Sequence, residues 1–169
     1  MDAQRGDRAR LKIKGLTDED FVNYKYPSMY ICANTCDFKC DKENGVSCCQ
    51  NSSLANKHYL NIPDDTIIQR YLNNTITKAI VFGGLEPFEQ FDELYVFIKK
   101  LRSEYHCNDT VVIYTGFNYE EIAKHVLSLQ LFNNIIIKYG RFRPGEQKHY
   151  DDVLGIYLAS PNQYAEVIS

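Results

Sequence analysis

Five of the six cysteines in this chain fall within residues 32–51, CANTCDFKCDKENGVSCCQN. Thiols gathered this closely point to metal binding or redox chemistry, and three chemistries compete for them. Four thiolates from Cys36, Cys40, Cys48 and Cys49 could surround a zinc ion tetrahedrally. Structural zinc usually takes paired C-x2-C knuckles, however, and here a C-x3-C is followed by two adjacent cysteines. Adjacent residues rarely ligate one ion without strain. A redox dithiol would call for C-x2-C, which the chain lacks. An iron–sulfur cluster tolerates irregular spacing, because its thiolates come from a loop. Cys32 continues the apolar run MYIC and, like the distant Cys107, reads as a small buried hydrophobe.

The rest of the chain sets the context for these thiols. At 169 residues it is expected to form one domain with its own core, residues 1–169, of which 1–27 are the least readable. A net charge of -3 offers no basic field, so nucleic acid is not an expected partner. The N-terminal MDAQRGDRARLKIKG is polar, and no apolar run is long enough to span a bilayer, so no membrane role is expected. A cytoplasmic location follows as the expectation. Thiols stay reduced there, which favours metal or redox chemistry over disulfides.

From Met29 onward, two patterns alternate. Short β-branched runs predict buried strands at 29–32, 79–82, 111–114, 135–138 and 153–158. Helical spacing falls between them. One helix opens at Pro63-Asp64-Asp65, with Ile67, Ile68, Tyr71 and Leu72 on one face. A second begins near Pro87 and carries Phe88, Phe91, Ile98 and Leu101. A third starts at Asn118, with Glu121 completing a capping box. Residues 141–151 read as loop. This order predicts an α/β fold: a parallel sheet of about five to six strands with flanking helices. In such folds chemistry gathers at the carboxyl ends of the strands. The cysteine cluster, GGLEP, TGFN, YGRFRPG and ASPNQ follow the five predicted strands in turn, so they are expected along one edge.

In their order, CDFKC, CQNSSL, VFGGLEP, IYTGFNYEEI, YGRF and ASPNQ resemble the radical S-adenosylmethionine proteins. They most resemble the small activating proteins of anaerobic ribonucleotide reductases, over roughly four-fifths of the chain. A group of short 4Fe-4S-domain proteins sharing CCQNSSL and VFGGLEPF looks closer still. The resemblance implies a partial, open TIM-like barrel and a [4Fe-4S] cluster held by three cysteines. It also implies S-adenosyl-L-methionine on the remaining iron and production of a 5′-deoxyadenosyl radical. The implied partners are a glycyl-radical enzyme or other protein substrate, and an electron donor such as flavodoxin or ferredoxin.

Carried over residue by residue, Cys36 and Cys40 match the first two ligands. Cys49 matches the third because Gln50-Asn51 follows it, with Cys48 as the alternative. The frame Cys32, Cys36, Cys40 ranks last. Gly83, Gly84 and Glu86 match the turn that takes the methionine ammonium, and Thr115 and Gly116 match the adenosyl end. Ser160 and Asn162 match the C-terminal segment that reaches back over the site. Three departures stand out: eight residues between Cys40 and Cys49, Leu85 inside the glycine turn, and Gln where the family usually has His. They leave a second expectation open, an iron–sulfur or zinc domain that kept the fold and lost the chemistry.

Overall fold

The computed structural model describes residues 10–49 and 51–169. The first nine residues of the N-terminal stretch and Gln50 lie outside the described residues. In chain order the elements begin with β1 (Ile13–Asp20), β2 (Ser28–Ala33), α1 (Lys39–Asn44), α2 (Ser52–Ala55) and α3 (Asp64–Asn73). There follow β3 (Ala79–Gly83), α4 (Phe91–Ser103), β4 (Thr110–Tyr114), α5 (Tyr119–Leu129) and β5 (Ile135–Tyr139). The chain ends with β6 (His149–Asp151), β7 (Ile156–Leu158) and β8 (Tyr164–Val167).

Four strands form the middle of the sheet because they are apolar on both faces, as strands covered on both sides must be. β2, β3, β4 and β5 run parallel, side by side. One face carries Ile31, Ile80, Phe82, Ile113 and Ile137 and packs on the helices. The three longer helices each lay an apolar stripe on it: Ile67, Ile68 and Tyr71 from α3, Leu94, Phe97 and Ile98 from α4, Ile122, Val126 and Leu129 from α5. Leu72, expected on the stripe of α3, is exposed. The opposite face carries Ala79, Val81, Val112 and Ile136, three of them smaller than the isoleucines of the first face. Towards its carboxyl edge it becomes polar, with Tyr30 on β2, Tyr114 on β4 and Lys138 on β5.

The edges were less legible. β1 pairs antiparallel with β2 across a bulged register, and β8 pairs antiparallel with β5. Among the described residues the order is therefore β1-β2-β3-β4-β5-β8, a mixed and open sheet. The expected fifth strand over 153–158 divides instead. Gly155 takes φ +70°, and β7 folds back on β6 as a separate hairpin. Asp151 enforces the turn. Its carboxylate accepts from the Leu154 and Ala165 N–H groups at 2.9 and 3.0 Å, and its carbonyl accepts from the Gly155 N–H at 2.8 Å. The stretch 141–151, read as loop, ends in β6. Among the described residues, no helix is long and apolar enough to cross a membrane.

Candidate metal centre

The carboxyl ends of the four parallel strands open onto one cavity of about 780 Å³. The loop after β2 supplies its thiols. Cys36, Cys40 and Cys49 line the cavity, and so does Cys32. Cys48 is absent from that lining; its thiol turns towards the Cys40 carbonyl, 3.6 Å away. Cys107 is buried far along the chain, before β4, and its carbonyl accepts from Arg102. Phe38, in the left-handed region at φ 56°, precedes α1, and its N–H donates to Cys36 Sγ at 3.3 Å. Burial pushes the Cys36 thiol up to about 12, with Glu86 and Cys49 adding repulsion. Burial also raises the Cys40 thiol. Without metal both stay neutral at neutral pH, so metal binding must displace their protons.

The turn after β3 supplies a carboxylate. Gly83 lies between β2 and β4, where a Cβ would stand 2.5 Å from Tyr30 Oη. Gly84 takes φ +77° against Cys32, a conformation L side chains rarely adopt. Glu86 then turns inward and is 6 % exposed. Its Oε1 accepts from the Phe88 N–H at 3.1 Å and the Thr115 hydroxyl at 2.8 Å; its Oε2 accepts from the Gly116 N–H at 2.9 Å. Burial pushes its carboxyl up to about 7, and these hydrogen bonds hold it from rising further. A Cβ on Gly116 would stand 3.7 Å from Glu86 Oε2 and 3.8 Å from Cys40 Sγ. The missing side chain thus leaves room between the carboxylate and a thiol.

A family model described as a 4Fe-4S single cluster domain matches residues 28–158, most of the chain. The chain belongs to that family. No curated protein and no solved structure matches it.

The thiols of this 4Fe-4S single cluster domain fit its cluster. Cys36, Cys40 and Cys49 open onto one cavity from the loop, beside Cys32 of β2, with Gly84 and Gly116 close by. Among the described residues, no three Cys, His, Asp or Glu side chains meet at single-ion spacing. A cubane does not need that, since each thiolate ligates a different iron. A zinc site drawing on both Cys48 and Cys49 would have to turn the Cys48 thiol away from the Cys40 carbonyl.

The structure adds a group that sequence reading missed. Lys138, on β5, lines the cavity and is 7 % exposed. Its Nζ donates to the Gly140 carbonyl at 3.2 Å. Among the described residues, no carboxylate lies within ion-pair distance of it. Burial lowers its ammonium to about 8, while Cys40 and Glu86 pull it back up. The signal was a lysine inside the apolar run IIIKY. Of the ASPNQ segment, Ala159 and Gln163 line the cavity, whereas Ser160 and Asn162 are not part of its lining. Ser160 Oγ is buried and has no hydrogen-bond partner among the described residues. Asn162 donates to the Arg141 carbonyl at 2.8 Å and joins the segment to the loop after β5.

Proposed function

We propose that this iron–sulfur domain is a radical S-adenosylmethionine activating enzyme, with S-adenosyl-L-methionine seated at the open iron of a [4Fe-4S] cluster. One observation carries the reading. Three thiols of the cysteine loop, with Cys48 turned aside and Cys32 set back on β2, share the cavity with one buried carboxylate and one buried ammonium. Cys36, Cys40 and Cys49 hold three irons. Glu86 Oε2, which accepts one hydrogen bond from the protein, has a lone pair left for the ligand's ammonium. Lys138 has N–H groups left for its carboxylate. Gly83 and Gly84 let the backbone approach the same end, while Thr115 and Gly116 border the adenosyl end. When bound, the cluster would supply the electron that breaks a carbon–sulfur bond of the sulfonium, releasing methionine and a 5′-deoxyadenosyl radical. Glu86 and Lys138, both buried, stand at the more enclosed end of the cavity.

The target is a glycine on a partner, a glycyl-radical enzyme such as anaerobic ribonucleotide reductase. Val22 and Tyr157 line the cavity and are 72 % and 70 % exposed, a rim suited to a protein surface rather than to an enclosed small molecule. The electron comes from a carrier such as flavodoxin or ferredoxin.

Leu85 favours a second reading. It is buried in the cavity wall, where the resembling turn has no residue. A domain that keeps its cluster without cleaving the ligand would tolerate such an inserted residue.

The test is anaerobic. The protein should bind about four irons, and adding S-adenosyl-L-methionine with a strong reductant should release 5′-deoxyadenosine. A brown protein that releases none would select the second reading. Bound zinc and no colour would sink both.

A further inference from the structure

We propose that Asp41 is the positioning residue that makes Cys49, rather than Cys48, the third thiolate of the cluster, and that the same clamp holds Cys48 aside. The proposal rests on the three-thiol site described above and is independent of any ligand cleavage. Cys48 and Cys49 have the same chemistry, so the choice between them must come from the backbone. Asp41 follows Cys40 on α1. Its Oδ1 accepts from both the Cys48 N–H, at 2.7 Å, and the Cys49 N–H, at 2.8 Å. Two consecutive amides on one oxygen fix the peptide between them relative to α1, and the two side chains then diverge. Cys49 opens onto the cavity beside Cys36 and Cys40. Cys48 turns to the Cys40 carbonyl.

The clamp has a fixed base. Asn44, one turn along α1, donates to the Cys40 carbonyl at 2.8 Å and the Phe142 carbonyl at 3.1 Å. The second bond ties α1 to the loop after β5. Asn44 Nδ2 also lies 3.6 Å from Cys48 Sγ. Between Asn44 and the cysteines, little else among the described residues holds the register of the chain. Gly45 is in the left-handed region at φ +69°, with nothing within 4 Å of its Cβ position among the described residues, and Val46 and Ser47 are exposed. A slip of one residue there would exchange the two thiols. Asp41 is the contact that prevents it.

The experiment measures iron per chain and visible absorption after anaerobic reconstitution, without S-adenosyl-L-methionine. Cys48→Ser should load like the wild type, and Cys49→Ser should lose its cluster. Asp41→Asn, which keeps an oxygen acceptor, should behave like the wild type. Asp41→Ala should load, but through either cysteine. Adding Asp41→Ala to Cys49→Ser should therefore restore most of the lost iron, and a further Cys48→Ser should remove it again. A purely loop-closing role for Asp41 would give no such recovery. If Asp41→Ala/Cys49→Ser stays as empty as Cys49→Ser, or if Asp41→Ala alone binds no iron while its circular dichroism is native, the proposal is overturned. If Cys48→Ser loses the iron and Cys49→Ser keeps it, the ligand assignment beneath the proposal fails, and the proposal with it.

Discussion

The sheet and the cysteine loop are built on different principles. β3 and β5 are buried along their whole length, and their side chains interlock with α3, α4 and α5. By contrast, α1 and α2 contain no buried residue. The loop between β2 and α3 is held by individual polar contacts instead: Asp41 to two amides, Asn44 to two carbonyls, and Lys14 to the Ala55 carbonyl. The sheet can thus fold on apolar burial alone, whereas the loop gains stability from what it binds. The fold places the site, and the metal completes it.

That contrast can be broken at its strong end. Phe97 is fully buried and meets Phe82 edge-to-face, with ring centroids 5.4 Å apart. Phe97→Ala should cost about 3–5 kcal/mol in chemical denaturation of the metal-free protein. Val46→Ala, in the exposed loop, should change the same quantity by less than about 0.5 kcal/mol. Comparable losses would mean that the loop contributes to the core after all.

A smaller effect is expected where sheet and loop meet. Glu86→Gln removes the carboxylate that faces the cavity and places an NH₂ among donors from Phe88, Thr115 and Gly116. In calorimetric titration S-adenosyl-L-methionine should bind about 1.5–3 kcal/mol more weakly, with iron content unchanged. Unaltered affinity would confine Glu86 to its structural hydrogen bonds.

A last effect concerns pH and lies wholly on the sheet side. Asp64 opens α3, and its Oδ1 accepts from the Leu11 N–H at 3.2 Å. Burial raises its carboxyl to about 6, against an ordinary value of about 4. Between those two values the folded chain holds the proton more tightly than the unfolded chain. The contribution of Asp64 to stability is therefore greatest below about 4 and declines as pH rises through about 6. Asp64→Asn keeps the acceptor and should flatten that part of the denaturation profile. An unchanged slope would show that Asp64 ionises freely in the fold.

What could be read from the sequence follows the same division. The four parallel strands were legible because burial on both faces leaves continuous β-branched runs, and α3 to α5 because a single buried face leaves a period. β1, IKGLTDED, was not, since an edge strand with charges and Gly15 carries neither signal. The stretch Val153–Leu158 looked like one strand because Gly155 is a single residue in an apolar run, and the Asp151 contacts that bend it come from outside the run. At the site, Glu86, Thr115 and Gly116 were found as motif letters, and the geometry joins them into one hydrogen-bonded unit. Lys138 escaped because a lone lysine at a strand end is usually solvated. Its role depends on strands that only the fold brings together.

The central claim is that three thiols from a loop without a core hold a cluster whose fourth iron is open. It is tested most directly by the electron paramagnetic resonance spectrum of the reduced, reconstituted protein, recorded before and after S-adenosyl-L-methionine is added. The account predicts a cluster signal that changes on addition, because a ligand reaches the open iron. A cluster signal that stays the same at saturating ligand would contradict it and point to a closed cluster with a fourth protein ligand.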